Sequence, residues 1–433
     1  MNMRSGLLVN TLSHLRFGRA PLMIWGLGYI GLTTAEAYLR AGFQIIGIDT
    51  SPRRCEEISK GPVILNHETQ TTLDVSSAVA TGQLRLFTEI SDFDTPVPCH
   101  FICIPTERSG KPFKGALIEC LELISKRTPD APIIIESTLS PRWITETPLR
   151  TRNFVLAPRR DWFHSPSHTL KLLRRVVGAT NQDLLQFATD LLAIVSDEIV
   201  ASQDVLAVAT TKAFENSIWY LLFSYVGGIA ISHTEVDFGE VLRLTRTNWR
   251  TPFEFKPAFQ VGGYCLPLSY AYLTEILDSN SLDFLRVAAA ANARMIDVLV
   301  DYLRERGIRS VLVLGLTYRP GMKITTNSSG TRFIDACKQE GLNVRVHDPI
   351  LSAAEMAEVT QEDPCEMPQE IDCCESIVVC TDHAYYTQMN ASSQLADSRN
   401  LREILDSCGA LSRYRQQFAE KGINYRQLGT RSW

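Results

Sequence analysis

The stretch Met23-Ile24-Trp25-Gly26-Leu27-Gly28-Tyr29-Ile30-Gly31 decides the fold. Apolar residues precede its first glycine, a helical pattern runs from Leu32 to Ala41, and a second apolar run, Gln44 to Ile48, ends at Asp49. The order is strand, glycine turn, helix, strand, acid. Gly26 permits a tight turn, Gly28 leaves the backbone open to a pyrophosphate, and Gly31 lets helix and strand pack closely, while the helix N-terminus offers free N–H groups to phosphate oxygens. Asp49 lies where a carboxylate accepts the ribose hydroxyls of a dinucleotide, which favours NAD over NADP. Arg53 and Arg54 follow it, and an arginine there can hold a 2′-phosphate instead. A glycine pattern alone is weak evidence; here its strand, helix and acid stand in order around it.

Working outward, strand-like apolar runs recur at Leu22 to Trp25, Ile45 to Ile48, His100 to Ile104 and Ile133 to Glu136, with helical patterns between them. That alternation predicts a parallel sheet covered by helices on both faces. A long helical region opens near Asp204 and continues past Gly228 with few breakers. Strand and helix then alternate again at Ser310 to Leu314, Asn343 to His347 and Glu375 to Cys380. The expected class is α/β, with two doubly wound Rossmann-like domains at 21–203 and 306–433. A central helical region at 204–305 joins them, and 1–20 form a loose N-terminal extension.

The composition, 433 residues with 45% hydrophobic, 21% charged and a net charge of −5, suits a cytoplasmic enzyme of more than one domain. Mild acidity leaves no nucleic-acid footprint and no polybasic membrane patch. The run from Ser217 to Ser232 is nearly all apolar but falls short of the ~20 residues needed to cross a bilayer, so it reads as an interior or subunit-interface helix. Leu7, Leu8 and Val9 are too short a run for a secretory signal. Of the eleven cysteines no two are spaced C-x-x-C, so neither a metal site nor a disulfide framework is indicated.

One cysteine stands apart. Gly262-Gly263-Tyr264-Cys265-Leu266-Pro267 places a thiol in a tight, glycine-backed turn far downstream of the dinucleotide fingerprint. A nicotinamide cofactor together with a positioned thiol suggests oxidation of an alcohol through an aldehyde to a covalent thioester.

Several further motifs follow one another: Ile102-Cys103-Ile104-Pro105-Thr106, Glu136-Ser137-Thr138, Arg175-Val176-Val177-Gly178, Lys212 with Asn216, the Cys265 turn, Leu314-Gly315-Leu316-Thr317-Tyr318-Arg319, His347-Asp348-Pro349 and Asp397-Ser398-Arg399-Asn400. In this order, from about Leu22 to Leu428, the chain resembles the UDP-glucose/GDP-mannose dehydrogenases, which oxidise a sugar C6 alcohol to a carboxylate with two NAD. The resemblance implies an N-terminal NAD domain, a central helix forming a homodimer interface and a C-terminal domain that grips the nucleotide. By it, Gly26, Gly28, Tyr29, Ile30, Gly31, Asp49, Arg54, Pro105, Thr106, Ser137 and Thr138 would hold the cofactor. Cys265 would attack the aldehyde, Lys212 and Asn216 would stabilise the oxyanion or an ordered water, and Thr138 would hold a water. Arg159, Arg160, Lys212, Asn216, Gly262, Gly263, Tyr264 and Arg319 would contact the substrate.

The chain also departs from that family. Where members carry a glutamate after Pro158, this chain has Arg159, and where lysine and aspartate follow Pro267 it has Leu268 and Ser269. Arg319 replaces a lysine, and Thr326 in Lys323-Ile324-Thr325-Thr326-Asn327-Ser328 stands where an arginine is expected. The lost carboxylates serve the hydrolytic steps, where a positioned base contributes ~10²–10⁴-fold. Asp161 is a candidate substitute, and Arg159 reverses the local charge, which suits an anionic substrate group or a nearby carboxylate. Three functions remain in view: oxidation to the acid; the same chemistry with impaired hydrolysis, releasing aldehyde or passing the acyl group to an amine; and a non-catalytic protein that binds NAD or a nucleotide to regulate.

Overall fold

A computed structural model describes residues 3–89, 97–161, 170–232, 235–251, 255–277, 283–431 and 433. The chain divides into two compact units, one of 1–65, 71–216 and 268–277, the other of 66–70, 217–267 and 278–433. The stretch 204–305 is therefore shared between them.

The first unit is built on an eight-stranded sheet: β1 (Leu22–Trp25), β2 (Ile45–Ile48), β3 (Leu84–Phe87), β4 (His100–Ile102), β5 (Ile133–Ile135), β6 (Val155–Leu156), β7 (Arg175–Ala179) and β8 (Ile199–Ser202). Its spatial order is 8-7-6-5-4-1-2-3. Every pairing is parallel except β6 with β7. Side chains alternate across the pleat, so Leu22 and Ile24 enter one core and Met23 and Trp25 the other. Both faces being covered explains why these strands are uninterrupted apolar runs. Residues 1–20, expected as a loose extension, instead supply a docked helix, α1 (Met3–Arg16), lying on the helix Gln182–Leu192. Leu8, Leu12 and Leu15, spaced for one helical face, pack on the core, and Leu15 is fully buried.

The second unit carries β9 (Ser310–Leu314), β10 (Asn343–His347), β11 (Asp363–Pro364), β12 (Ser376–Val379), β13 (Glu403–Asp406) and β14 (Asn424–Gln427). They are all parallel, in the order 11-10-9-12-13-14. Numbered within itself this is 3-2-1-4-5-6, the order of the first six strands of the other sheet, so both units are doubly wound with a switch point beside their first strand.

Three further helices matter for the site. They are α2 (Tyr29–Arg40), the 27-residue α3 (Val205–Ile231) and α4 (Cys265–Thr274). Among the described residues no helix is long and apolar enough to cross a membrane.

Candidate active site

The fingerprint turn lies at the C-terminal end of β1, beside β4 and therefore at the switch point of the sheet. Gly26 has φ +81°, and a Cβ there would sit 2.6 Å from the Cys103 carbonyl oxygen. A Cβ on Gly31 would lie 1.8 Å from the Gly26 carbonyl oxygen, so only glycine lets α2 start this close to the turn. Gly28 caps α2, is exposed, and has nothing within 4 Å of its Cβ position. These three environments fit a pyrophosphate at the N-terminus of α2, with Tyr29 and Ile30 in its first turn. Asp49 accepts from Leu27 N–H at 2.8 Å and from Ser51 N–H at 2.9 Å, which fixes the half-buried carboxylate beside the turn. Arg54 donates to the Leu27 carbonyl oxygen at 2.9 Å and to Glu57 at 2.8 Å. Its guanidinium braces the turn, which accords with NAD rather than a 2′-phosphate.

Across the switch point, Thr106 Oγ1 donates to the Thr138 carbonyl oxygen at 2.8 Å, and Ser137 Oγ to the Ile104 carbonyl oxygen at 2.7 Å. These bonds tie the loops after β4 and β5 together, with Pro105 exposed between them. Tyr272 of α4 donates to the Thr106 carbonyl oxygen at 2.8 Å. Lys212 and Asn216, one turn apart on α3, meet at 3.5 Å, and Asn216 Nδ2 donates to Ser269 Oγ at 2.9 Å. The expected one-face pairing of lysine and asparagine is present, and Ser269, fully buried, extends it into a row of three.

Arg159 is buried, with its side chain 3% exposed. Its guanidinium donates to Asp161 (2.7 Å at Nε), Thr34 (2.7 Å) and Thr33 (3.1 Å), and lies 3.5 Å from Glu136. Glu136 also accepts from Arg175 at 2.6 Å and from Thr34 at 2.5 Å. The anionic groups Arg159 meets within this unit are thus carboxylates of the protein, and Asp161 is committed to it. Burial alone would raise the Glu136 pKa, but Arg175 and Arg159, with hydrogen bonds from Thr34 and Arg175, bring it below the usual carboxylate range. Tyr29 feels the same cluster: burial and Asp161 raise its pKa while Arg159 opposes. Arg160 lies 3.5 Å from Glu215.

In the second unit Cys265 opens α4, directly after the turn. Gly263 N–H donates to the Asn327 carbonyl oxygen at 3.2 Å, and a Cβ on Gly262 would come within 2.3 Å of that same oxygen. Gly263, at φ +75°, packs on the Tyr318 ring, 2.7 Å from where a Cβ would stand. The paired glycines therefore admit protein groups, the 325–328 turn and Tyr318. Burial, with the nearby Cys265, pushes Tyr318 up to about 12 against the pull of Arg319.

This unit repeats the fingerprint geometry in a longer form that the spacing of its glycines concealed. Gly315 (φ +93°) follows β9, a Cβ on Gly330 would lie 2.2 Å from the Gly315 carbonyl oxygen, and Asp348 after β10 accepts from Leu316 N–H at 2.8 Å. Here the acid is fully enclosed and also within 3.2 Å of His383 Nε2. No cluster of His, Cys, Asp and Glu that could hold a metal occurs among the described residues.

The description "UDP-glucose/GDP-mannose dehydrogenase family, NAD binding domain" matches residues 20–152, and the same family's UDP binding domain matches 312–412. The UDP-N-acetyl-D-mannosamine dehydrogenase of Methanococcus aeolicus is 24% identical, over 95% of this chain and 96% of its own. Protein CapL of Staphylococcus aureus is 24% identical, covering 76% of this chain and 81% of its own. Among solved structures, UDP-D-ManNAc dehydrogenase from Pyrococcus horikoshii superposes with a TM-score of 0.79 at 21% identity, over 95% of this chain and 100% of the other. A UDP-glucose dehydrogenase from Pyrobaculum islandicum gives 0.75 at 20% identity, over 90% and 94%. The two family domains, in order and at the expected places, together with a cofactor crevice whose glycines and acid fit NAD, show that the chain belongs to the UDP-glucose/GDP-mannose dehydrogenase family and is an NAD-dependent nucleotide-sugar dehydrogenase.

Proposed function

We propose that the protein oxidises a primary alcohol of a nucleotide sugar to the carboxylate in two NAD-dependent stages, with Cys265 as the covalent nucleophile. The observation that carries this reading is the Lys212–Asn216 pair, 3.5 Å apart on the part of α3 that belongs to the cofactor-binding unit. Gly26, Gly28, Gly31 and Asp49 would hold NAD, which would supply the hydride acceptor. Lys212 stabilises the alkoxide that develops as the alcohol loses its proton, and Asn216 adds a neutral donor. Cys265 adds to the aldehyde carbon, and after the second oxidation that carbon is held as a thioester until water releases the acid. Cys265 is the first residue of α4, and the positive end of a helix favours the reactive thiolate. Thr138 is proposed to hold the water, with Arg160, Tyr264 and Arg319 contacting the substrate. The named relatives make UDP-N-acetyl-D-mannosamine the first compound to test.

A second reading, the same chemistry with impaired hydrolysis, so that aldehyde is released before the second oxidation or the thioester's acyl group passes to an amine, is favoured by one observation. Asn216 donates to the Ser269 hydroxyl, at the position where the family carries a carboxylate, and Asp161 is held by Arg159. Hydrolysis then lacks a base among the residues assigned to it. NADH formation and intact mass, followed together with a panel of UDP-sugars, separate the readings. Two NADH per acid with no lasting adduct support full oxidation; an adduct on Cys265 supports the second. Cys265→Ser should abolish acid formation, and acid at the parental rate would remove the covalent step. A Cys265→Ala protein that keeps its full biological effect would favour the regulatory role.

The exposed face of α3 supports a homodimer. Phe214, Ile218 and Tyr225 are 57%, 40% and 68% exposed at spacings that put them on one side of the helix.

A further inference from the structure

Three thiols converge in the second unit, away from the turn that carries Cys265 in the sequence. Cys365 follows the short edge strand β11, and Cys373 and Cys374 precede β12. The Cys365 and Cys373 sulfurs are 3.2 Å apart, and those of Cys373 and Cys374 are 3.6 Å apart. Cys365 and Cys374 are 4% and 3% exposed, whereas Cys373 is half-buried, so one thiol of the three is offered to solution.

Arg345 on β10 flanks the group. Its Nη2 donates to the Pro364 carbonyl oxygen at 2.9 Å and to Glu370 at 3.3 Å, while Nε is buried with no hydrogen-bond partner among the described residues. Hydrogen bonds with Cys365 and then Cys374 pull the Cys373 pKa down, against burial, with Arg345 assisting and Glu370 opposing. The same contacts and burial push Cys365 and Cys374 upward. A half-buried thiol in contact with an enclosed one, beside a guanidinium, is the arrangement of a reactive thiol with its resolving partner.

We propose that Cys365 and Cys373 are a redox modification site, closing to a reversible disulfide when a peroxide reaches the half-buried Cys373. The Cys373 thiolate attacks one peroxide oxygen and the O–O bond breaks, giving a sulfenic acid; the departing hydroxide takes up the proton that the thiol had released and leaves as water. The Cys365 sulfur then attacks the Cys373 sulfur; the S–O bond breaks, the S–S bond forms, and the departing oxygen leaves with the thiol proton as water. Two thiols lose two electrons and the peroxide is reduced to two waters. A low-molecular-weight disulfide reaches the same product by exchange. Cys265 takes no part.

The full-length protein treated with hydrogen peroxide, alkylated, and cleaved without reduction at Glu366, Glu370 and Asp372, which separate the two cysteines, tests this. Expected is a Cys365–Cys373 cross-link that dithiothreitol reverses and that precedes any change at the buried Cys337. Before oxidation, Cys373 should alkylate at least about tenfold faster than Cys337 at mildly acidic pH. In Cys365→Ser the reaction should yield a Cys373 sulfenic acid trapped by dimedone. Cys373 alkylating no faster than Cys337 in the wild type, or an oxidised wild type lacking the Cys365–Cys373 link, would overturn the proposal without need of any variant.

Discussion

At the scale of single residues, His100 shows how a buried side chain couples the cofactor strand to pH. Trp25 Nε1, which can only donate, gives its hydrogen to His100 Nδ1 at 3.2 Å, so the imidazole proton sits on Nε2 and points to Thr128 Oγ1 at 2.7 Å. A second proton would face the Trp25 N–H. Burial, with some help from Arg152, accordingly pushes His100 down to about 3. Because the folded pKa lies below the unfolded one, the stability this group confers is complete above about pH 6.5 and is lost as pH falls toward 3. The loss should be about 2 kcal/mol between roughly pH 6.5 and 5. Denaturant titrations at those two pH values, read by intrinsic tryptophan fluorescence, should show it, and His100→Asn should reduce the difference. Nothing in the sequence marked His100, since its partner is 75 positions away. The Asp49 contact with its turn was legible because both belong to one motif, and the Lys212–Asn216 contact because the two lie one helical turn apart.

Elements were legible where sequence and burial coincide. β1, β2 and β9 have the bounds expected from their apolar runs, because a strand buried on both faces is apolar nearly throughout, and β10 keeps its expected bounds with Val344 and Val346 alternating against Asn343 and Arg345. β6, of two residues, and β8, an edge strand with half-exposed side chains, carry too little of that pattern to be read. The helix α1 was missed because its apolar residues look too few until Leu8, Leu12 and Leu15 are seen to share a face. The Arg159 substitution was visible in the sequence, but its meaning was not. It joins α2, β5, β7 and the loop after β6 through Thr33, Thr34, Glu136 and Asp161, and Arg175 completes the cluster. Removing one member of a buried ion-pair cluster leaves an uncompensated charge and typically costs ~3–5 kcal/mol. Arg159→Leu should therefore lower the unfolding free energy by about that amount, measured by chemical denaturation. A variant as stable as the parent, but with weakened nucleotide-sugar binding, would return Arg159 to the role of a substrate contact.

For the whole molecule, the family and the α/β class followed from the sequence, whereas the division into two units did not. The long apolar α3 reads as one body in sequence, yet its N-terminal residues belong to one compact unit and the remainder to the other. A homodimer built on its exposed face should fall apart when charge is placed there. Tyr225→Glu is expected to halve the mass measured by light scattering, and an unchanged mass would move the interface elsewhere. The two sheets meanwhile share one strand order and one acid-to-amide bond after their glycine turns, Asp49 to Leu27 and Asp348 to Leu316, each 2.8 Å. The first acid is half open and the second enclosed. The molecule thus carries a matched pair of reporter amides: in a nuclear magnetic resonance titration with NAD alone, the Leu27 cross-peak should move while Leu316, its architectural twin, supplies the internal reference.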